Sequence, residues 1–139
     1  MPYEFRMQRE VEFAETDMAG ILHFSNYFRY MEVVEHAFFR SLGFSVHSDK
    51  ATGTWGWARR HATCSYERPL RYEDRVELHL LVREKRTRSI TYEVRFLLDS
   101  TEVARGSLTA VCVTKTPSGN LQAVPMPAEI AAAIQPAPA

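Results

Sequence analysis

The order of the residues predicts an α+β fold, a curved antiparallel sheet wrapped around one long central helix, on three observations. Near the start, Tyr3, Phe5, Met7, Val11 and Phe13 are apolar while Glu4, Arg6, Gln8, Glu10 and Glu12 are polar, the period of two that half-buries a strand. From Tyr27 the spacing becomes threes and fours, through Tyr30, Met31, Val34, Phe38 and Leu42, which lines one face of an α-helix. Four further strand-like runs follow, over residues 57–67, 76–85, 89–98 and 102–116.

The helix has to be enclosed. Phe24, Phe28, Val33, Ala37 and Phe39 widen its apolar stripe to most of its circumference, so a sheet must curl around it. Ser25 and Asn26 are suited to cap its start and Gly43 suits a left-handed cap at its end, which places it at about residues 25–42. Residues 44–56 read as a loop able to carry a short helical turn. Asp99-Ser100-Thr101 supplies a tight reversal between the last two strands, and Arg86-Thr87-Arg88 a looser one before them. The tail from 125 to 139 holds one short helix near 128–134, then Pro-Ala residues expected to fray. At 139 residues, 45% of them hydrophobic, the chain reads as a single domain.

Composition narrows the function classes. Seventeen Lys and Arg balance seventeen Asp and Glu, so no net charge draws the molecule to nucleic acid or to an anionic membrane. There is no run approaching the roughly 20 apolar residues of a membrane span and no opening apolar run of the secretory kind. A cytoplasmic location is therefore expected. Cys64 and Cys112 lack metal-ligand spacing and read as reduced core thiols, and no metal or cofactor is expected. No phosphate-cradling GxxxxGK[ST] loop is present, which disfavours an ATP-dependent enzyme.

The chemically informative stretch is residues 13–32, where Glu15-Thr16-Asp17-Met18-Ala19-Gly20 puts an acid in a turn just before the helix. Amides at a helix start lack partners within the helix and carry the positive end of the peptide dipoles, so they can receive a negative oxygen. Thr16-Asp17, Ala19-Gly20, Ile21-Leu22 and Asn26-Tyr27-Phe28 together resemble the signature of the hot-dog thioesterases of the 4-hydroxybenzoyl-CoA thioesterase type, including their Tol-Pal-associated bacterial relatives. The likeness runs on through Arg40-Ser41-Leu42-Gly43 and through the proline turn Tyr66-Glu67-Arg68-Pro69-Leu70 to Asp74.

The resemblance implies hydrolysis of an acyl-CoA, with Asp17 attacking the thioester carbonyl or drawing a proton from an attacking water. It also implies that the Phe24 backbone amide, with that of His23, receives the carbonyl oxygen. Some relatives carry a His where Phe24 stands; here it is His23, one position earlier, open to a catalytic, capping or packing role. Gly20 serves a positive φ, a close ligand approach, or both. Asn26 is a cap or an active-site hydrogen bonder, and Tyr27 belongs to the same helix-start motif. Arg86, Arg88 and Lys115, with Ser89 beside them, are implied for the CoA phosphates, often across a subunit boundary in this family. Exposed sheet edges make a homodimer or homotetramer the expected assembly.

Other groups receive blander readings. Glu32 and Glu35 sit on the helix, where other hot-dog branches place a working carboxylate, and read here as ion-paired. His36, His47, His61 and His79 form no catalytic grouping, and Trp55, Trp57, Phe28 and Tyr30 are available to shape an acyl pocket. Two alternatives remain open: a non-catalytic acyl-CoA-binding module, and a hydratase, although the Asp-x-Asn-Pro-x-His pattern of the latter is missing after Asp17.

Overall fold

The structure is a computed structural model that describes residues 2–46, 48–50 and 53–139. Strand β1 (Glu4–Glu10) leads through a 3-10 turn (Phe13–Glu15) to helix α1 (Ser25–Ser41). Strands β2 (Ser48–Lys50), β3 (Gly53–Tyr66), β4 (Arg75–Lys85), β5 (Ser89–Leu98), β6 (Thr101–Lys115) and β7 (Leu121–Ala123) follow, then helix α2 (Ala128–Ala133). Among the described residues the strands form one antiparallel sheet in the order β1-β4-β5-β6-β3-β2, with β7 paired to the end of β6.

The sheet curls because of α1. That helix packs against β1 and β3 as well as β4 and β6. β1 and β3 are four strand spacings apart in the sheet, roughly 19 Å if it were flat, wider than one helix of about 10 Å. Only a sheet bent around the helix satisfies both contacts. The inner face is Val76, Leu78, Leu80 and Val82 of β4, Ile90, Tyr92, Val94 and Phe96 of β5, and Leu108, Ala110 and Cys112 of β6, all buried. They meet Tyr27, Tyr30, Met31, Val34, Phe38 and Phe39 of α1, each worth about 1.5–3 kcal/mol of apolar burial.

The C-terminus of α1 ends as predicted. Gly43 adopts φ +85, its amide donates to the Arg40 carbonyl (3.0 Å), and the Phe44 amide reaches back to Phe39 (2.9 Å), a Schellman closure. The β5–β6 reversal places Asp99 (φ 50) and Ser100 (φ 67) in the left-handed region, the two-residue turn whose twist matches a hairpin.

Four expectations are corrected. β1 stops at Glu10, because residues 13–15 turn into a 3-10 coil closed by the Glu15 amide on the Glu12 carbonyl. The span 44–56, expected as a loop, contains β2 and the start of β3, paired from Ser48↔Trp55 to Lys50↔Gly53. His47 lies outside the described residues. β7 was invisible in the pattern; its three residues are held by main-chain pairing alone and are all exposed. The Pro-Ala tail does not fray: the Gln135 amide bonds the Pro2 carbonyl (3.1 Å), the Ala137 amide bonds the Val82 carbonyl (2.7 Å), and Ile130 and Ile134 are buried. Lys85 donates to the carbonyls of Ala131 and Ile134, which otherwise lack partners at the end of α2. Both cysteines are free; Cys112 is buried, and burial pushes the half-buried Cys64 thiol up to about 11. No helix among the described residues is long and apolar enough to cross a membrane.

Gly106 is where helix and sheet approach most closely: a Cβ there would run into Met31 Sδ, with the Thr63 carbonyl oxygen 3.2 Å away. Gly106→Ala should destabilise the protein by about 1–3 kcal/mol in chemical denaturation, the usual cost of overpacking. Trimming Met31 in the same chain should return part of that loss.

Candidate active site

The segment between β1 and α1 folds back on itself. The Asp17 amide donates to the Ile21 carbonyl (2.9 Å), the Gly20 amide to the Asp17 carbonyl (2.9 Å), and the His23 amide to the Glu15 carbonyl (3.0 Å). Thr16 and Leu22 form an isolated antiparallel bridge. Asp17 thus sits near the tip of a closed turn, half-buried, with Oδ1 accepting the Ala19 amide (2.9 Å). Gly20 has φ +80 and open space where a side chain would be, so the turn demands it for backbone conformation. A second anchor is the Leu22 amide on the Leu70 carbonyl (2.7 Å), which fixes the turn to the end of the sheet where β4 begins.

The turn delivers the chain into α1. The amides of Ser25, Asn26 and Tyr27 all find acceptors: His23 Nδ1 (3.2 Å), the His23 carbonyl (2.9 Å) and the Phe24 carbonyl (3.3 Å). Among the described residues the Phe24 amide donates to nothing, so one positively polarised N–H stands open at the helix start. The His23 amide, expected as a second oxyanion donor, is instead consumed by Glu15.

The cap is also not where the residue types suggested. No side chain caps from the N-cap position, Phe24; the His23 ring accepts the Ser25 amide at Nδ1 and lies 2.7 Å from Ser25 Oγ. An Nδ1 that accepts carries no proton, which leaves the ring proton on Nε2. Asn26 does not cap: its Nδ2 donates to the Glu15 carbonyl (2.8 Å) and ties the helix to the turn. Tyr27 belongs to the core, 3% exposed between Tyr66 and Phe96, where burial pushes its hydroxyl up to about 12. Tyr66 donates to the Phe24 carbonyl (3.2 Å), joining the end of β3 to the same helix start.

Glu15 is the hub the sequence reading passed over. Its Oε1 accepts the Tyr30 hydroxyl (2.5 Å) and the Glu12 amide (2.9 Å), and its Oε2 accepts Arg9 Nη2 (3.0 Å). Arg9 also lies 4.8 Å over the Tyr30 ring. Burial would raise the Glu15 carboxyl, but the bonds from Tyr30, Glu12 and Arg9 outweigh it and hold it below the usual range. Burial and the bond to Glu15 push the Tyr30 hydroxyl well up. A Glu three residues after Glu12, with a Tyr one helical face further on, was the only sequence signal for this clamp.

The residues implied for phosphates lie elsewhere. Arg86 and Arg88 occupy the β4–β5 turn, Ser89 the start of β5 and Lys115 the end of β6, whereas the Asp17 turn joins the sheet at Leu70, before the start of β4. The 11 residues of β4 separate the two ends by roughly 33 Å at about 3.3 Å per residue. Arg86 is paired with Glu84, and Arg88 and Lys115 are exposed. A single protomer does not bring these groups to Asp17.

Among the described residues, neither of two surface clefts is lined by Asp17. One, about 340 Å³, lies between α1 and β3 and is lined by Glu32, Glu35, His36, Val46, Trp57 and Arg59. There Arg59 grips both oxygens of Glu35 (2.6 and 3.0 Å) and one of Glu32 (3.2 Å), so Glu35, 2% exposed, is held in a bidentate ion pair. Trp57 packs on Phe39 at this cleft, while Tyr30 is fully buried and faces Glu15 instead. The other cleft, about 390 Å³, lies on the outer face of the sheet beside Glu93, which Arg83 (2.8 Å) and Arg95 (2.9 Å) clasp. His79 is buried against Glu4 (2.8 Å) on that face.

A curved antiparallel sheet wrapped around one long helix is the hot-dog fold. Residues 11–134 match the family profile described as the thioesterase-like superfamily, and the chain belongs to that family. A protein of Aquifex aeolicus (strain VF5) named "Putative esterase" is 35% identical over 125 residues, 90% of this chain and 93% of its own length. The solved gentisyl-coenzyme A thioesterase is similar at 28% identity and TM-score 0.81, covering 91% of this chain and 99% of its own. The 4-hydroxybenzoyl-CoA thioesterase of Pseudomonas sp. strain CBS-3 shares the fold at TM-score 0.80 and 20% identity, covering 94% and 98%.

Because Glu15 is held below its unfolded value of 4.5, its contribution to stability is complete above that pH and is lost as pH falls through the lower folded value. Acid unfolding of the parent should therefore steepen below about pH 4.5 relative to Glu15→Gln, which has no proton to take up in that window. Parallel acid limbs would count against the clamp.

Proposed function

We propose that this chain hydrolyses the thioester of a small aliphatic or aromatic acyl-CoA, with Asp17 as nucleophile or general base and the Phe24 amide as oxyanion donor. The observation that carries the reading is the open Phe24 N–H at the start of a buried helix, one turn from a carboxylate, in a thioesterase-family chain. In the nucleophilic form an Asp17 oxygen bonds the carbonyl carbon, the C–S bond breaks, the CoA thiolate takes a proton, and water then cleaves the mixed anhydride. In the general-base form Asp17 takes the proton of an attacking water and the acid and CoA thiol leave directly. Either way the carbonyl oxygen gains charge, and a pre-aimed amide stabilises it without reorganisation.

Arg86, Arg88, Ser89 and Lys115 bind the CoA phosphates in this reading, from a second protomer. Beyond the short β2 hairpin β3 has a neighbour on one side only, and its residues from Arg59 to Thr63 are exposed. Two copies paired edge to edge about a twofold axis run antiparallel, which sets the basic end of one sheet beside the Asp17 end of the other. The likeness to the gentisyl-coenzyme A enzyme supports including aromatic acyl groups among the candidates.

Thiol release followed with a chromogenic reagent over aliphatic and aromatic acyl-CoAs should fall at least about 100-fold in Asp17→Asn. Equal rates on every substrate would remove Asp17 from the reaction. Phe24 has φ −57, which proline accommodates, and its N–H holds no internal bond. Phe24→Pro should therefore fold yet lose about 100- to 1000-fold in kcat, while Phe24→Ala stays close to the parent. Similar rates for Pro and Ala would place the oxyanion elsewhere.

A further inference from the structure

Asp17 and the Phe24 amide stand on opposite ends of one closed turn, so their relation depends on whatever locks its base. The tip of that turn, Met18 to Gly20, is exposed and packs on nothing that could hold it. Its base is tied to the body of the protein through Leu22 and through Glu15. Leu22 is tied by a main-chain bond to Leu70 and by a side chain buried in the core. Glu15 accepts five hydrogen bonds: its carboxylate takes Tyr30, Arg9 and the Glu12 amide, and its carbonyl takes the His23 amide and Asn26.

These bonds are directional. Tyr30 is 0% exposed and fixed in the core, and so gives Glu15 a rigid reference on α1. Arg9 fixes it to β1, and the His23 and Asn26 bonds set where the chain enters the helix, one residue before Phe24 and two after it. The Glu15 side chain is 15% exposed, and both of its carboxylate oxygens are bonded within the protein. It is not placed to touch a substrate.

We propose that Glu15 is a positioning residue: its clamp on Tyr30, Arg9 and the two strands of the turn sets Asp17 at working distance from the Phe24 amide. The proposal rests on the reading of those two groups as the hydrolytic pair. A misplacement of about 1 Å between reacting groups costs on the order of 100-fold in rate while leaving remote binding contacts intact, so a positioning residue acts on kcat rather than KM.

The test compares the full-length parent with Glu15→Ala, Glu15→Gln, Tyr30→Phe and Asp17→Asn, by steady-state hydrolysis and by hydrogen exchange at the Asp17 and His23 amides. Glu15→Ala should release exchange at both amides and lower kcat about 100-fold with KM within about threefold. Glu15→Gln keeps an oxygen for Tyr30 and the Glu12 amide and should recover to within about tenfold of the parent. Tyr30→Phe removes one hydroxyl from an otherwise intact core, should fall between them, and serves as the variant if Glu15→Ala does not fold. Unchanged exchange, or released exchange with unaltered kcat, overturns the proposal. Parental rates in Asp17→Asn would instead overturn the hydrolytic pair, while the exchange data still decide whether Glu15 holds the turn.

Discussion

Everything in this protein depends on burying α1. A helix that is apolar on most sides cannot lie on a flat sheet with one flank in water without exposing Tyr27, Tyr30, Met31, Phe38 or Phe39, all of which are buried. The sheet bends until β1 and β3 both touch the helix, and Gly106 removes the one side chain that would keep β6 and Met31 apart. Chemistry inherits its geometry from that packing, because the open amide belongs to the same rigid helix.

The amides at a helix start lack partners within the helix and need acceptors. The chain meets three of them locally, by folding the His23 ring and two carbonyls onto Ser25, Asn26 and Tyr27. Phe24 is left over. The residue before an N-terminal turn that is fully satisfied becomes the single donor available to something from outside, which is the physical basis for reading it as an oxyanion site.

The long axis of the sheet imposes a second constraint. The Asp17 turn and the β4–β5 turn that carries Arg86 and Arg88 are at opposite ends of an 11-residue strand, so one protomer keeps that carboxylate and those cations apart. Antiparallel pairing at the free edge of β3 is the simplest operation that exchanges the ends. The ion pair of Glu35 and Arg59 ties α1 to β3.

What the residues alone determined was set by short-range periodicity and stereochemistry. Alternation located β4, β5 and β6, spacing by threes and fours located α1, and Gly43 and the Asp99-Ser100 pair marked a helix end and a hairpin whose left-handed φ values few residue types tolerate. The order of Asp17, Gly20 and Asn26 located the turn. What only the tertiary structure decided involves partners far apart in sequence or bonds made by the main chain. Glu15 reads as an ordinary charged residue until Tyr30 and Arg9 meet it across two elements. β2 and β7 pair through the main chain, and the tail is pinned by bonds to Pro2 and Val82 and by the buried Ile130 and Ile134, partners remote in sequence. The cap expected of Ser25 or Asn26 fell to the His23 ring, while the carbonyl of Glu15, brought close by the turn, takes Asn26 Nδ2.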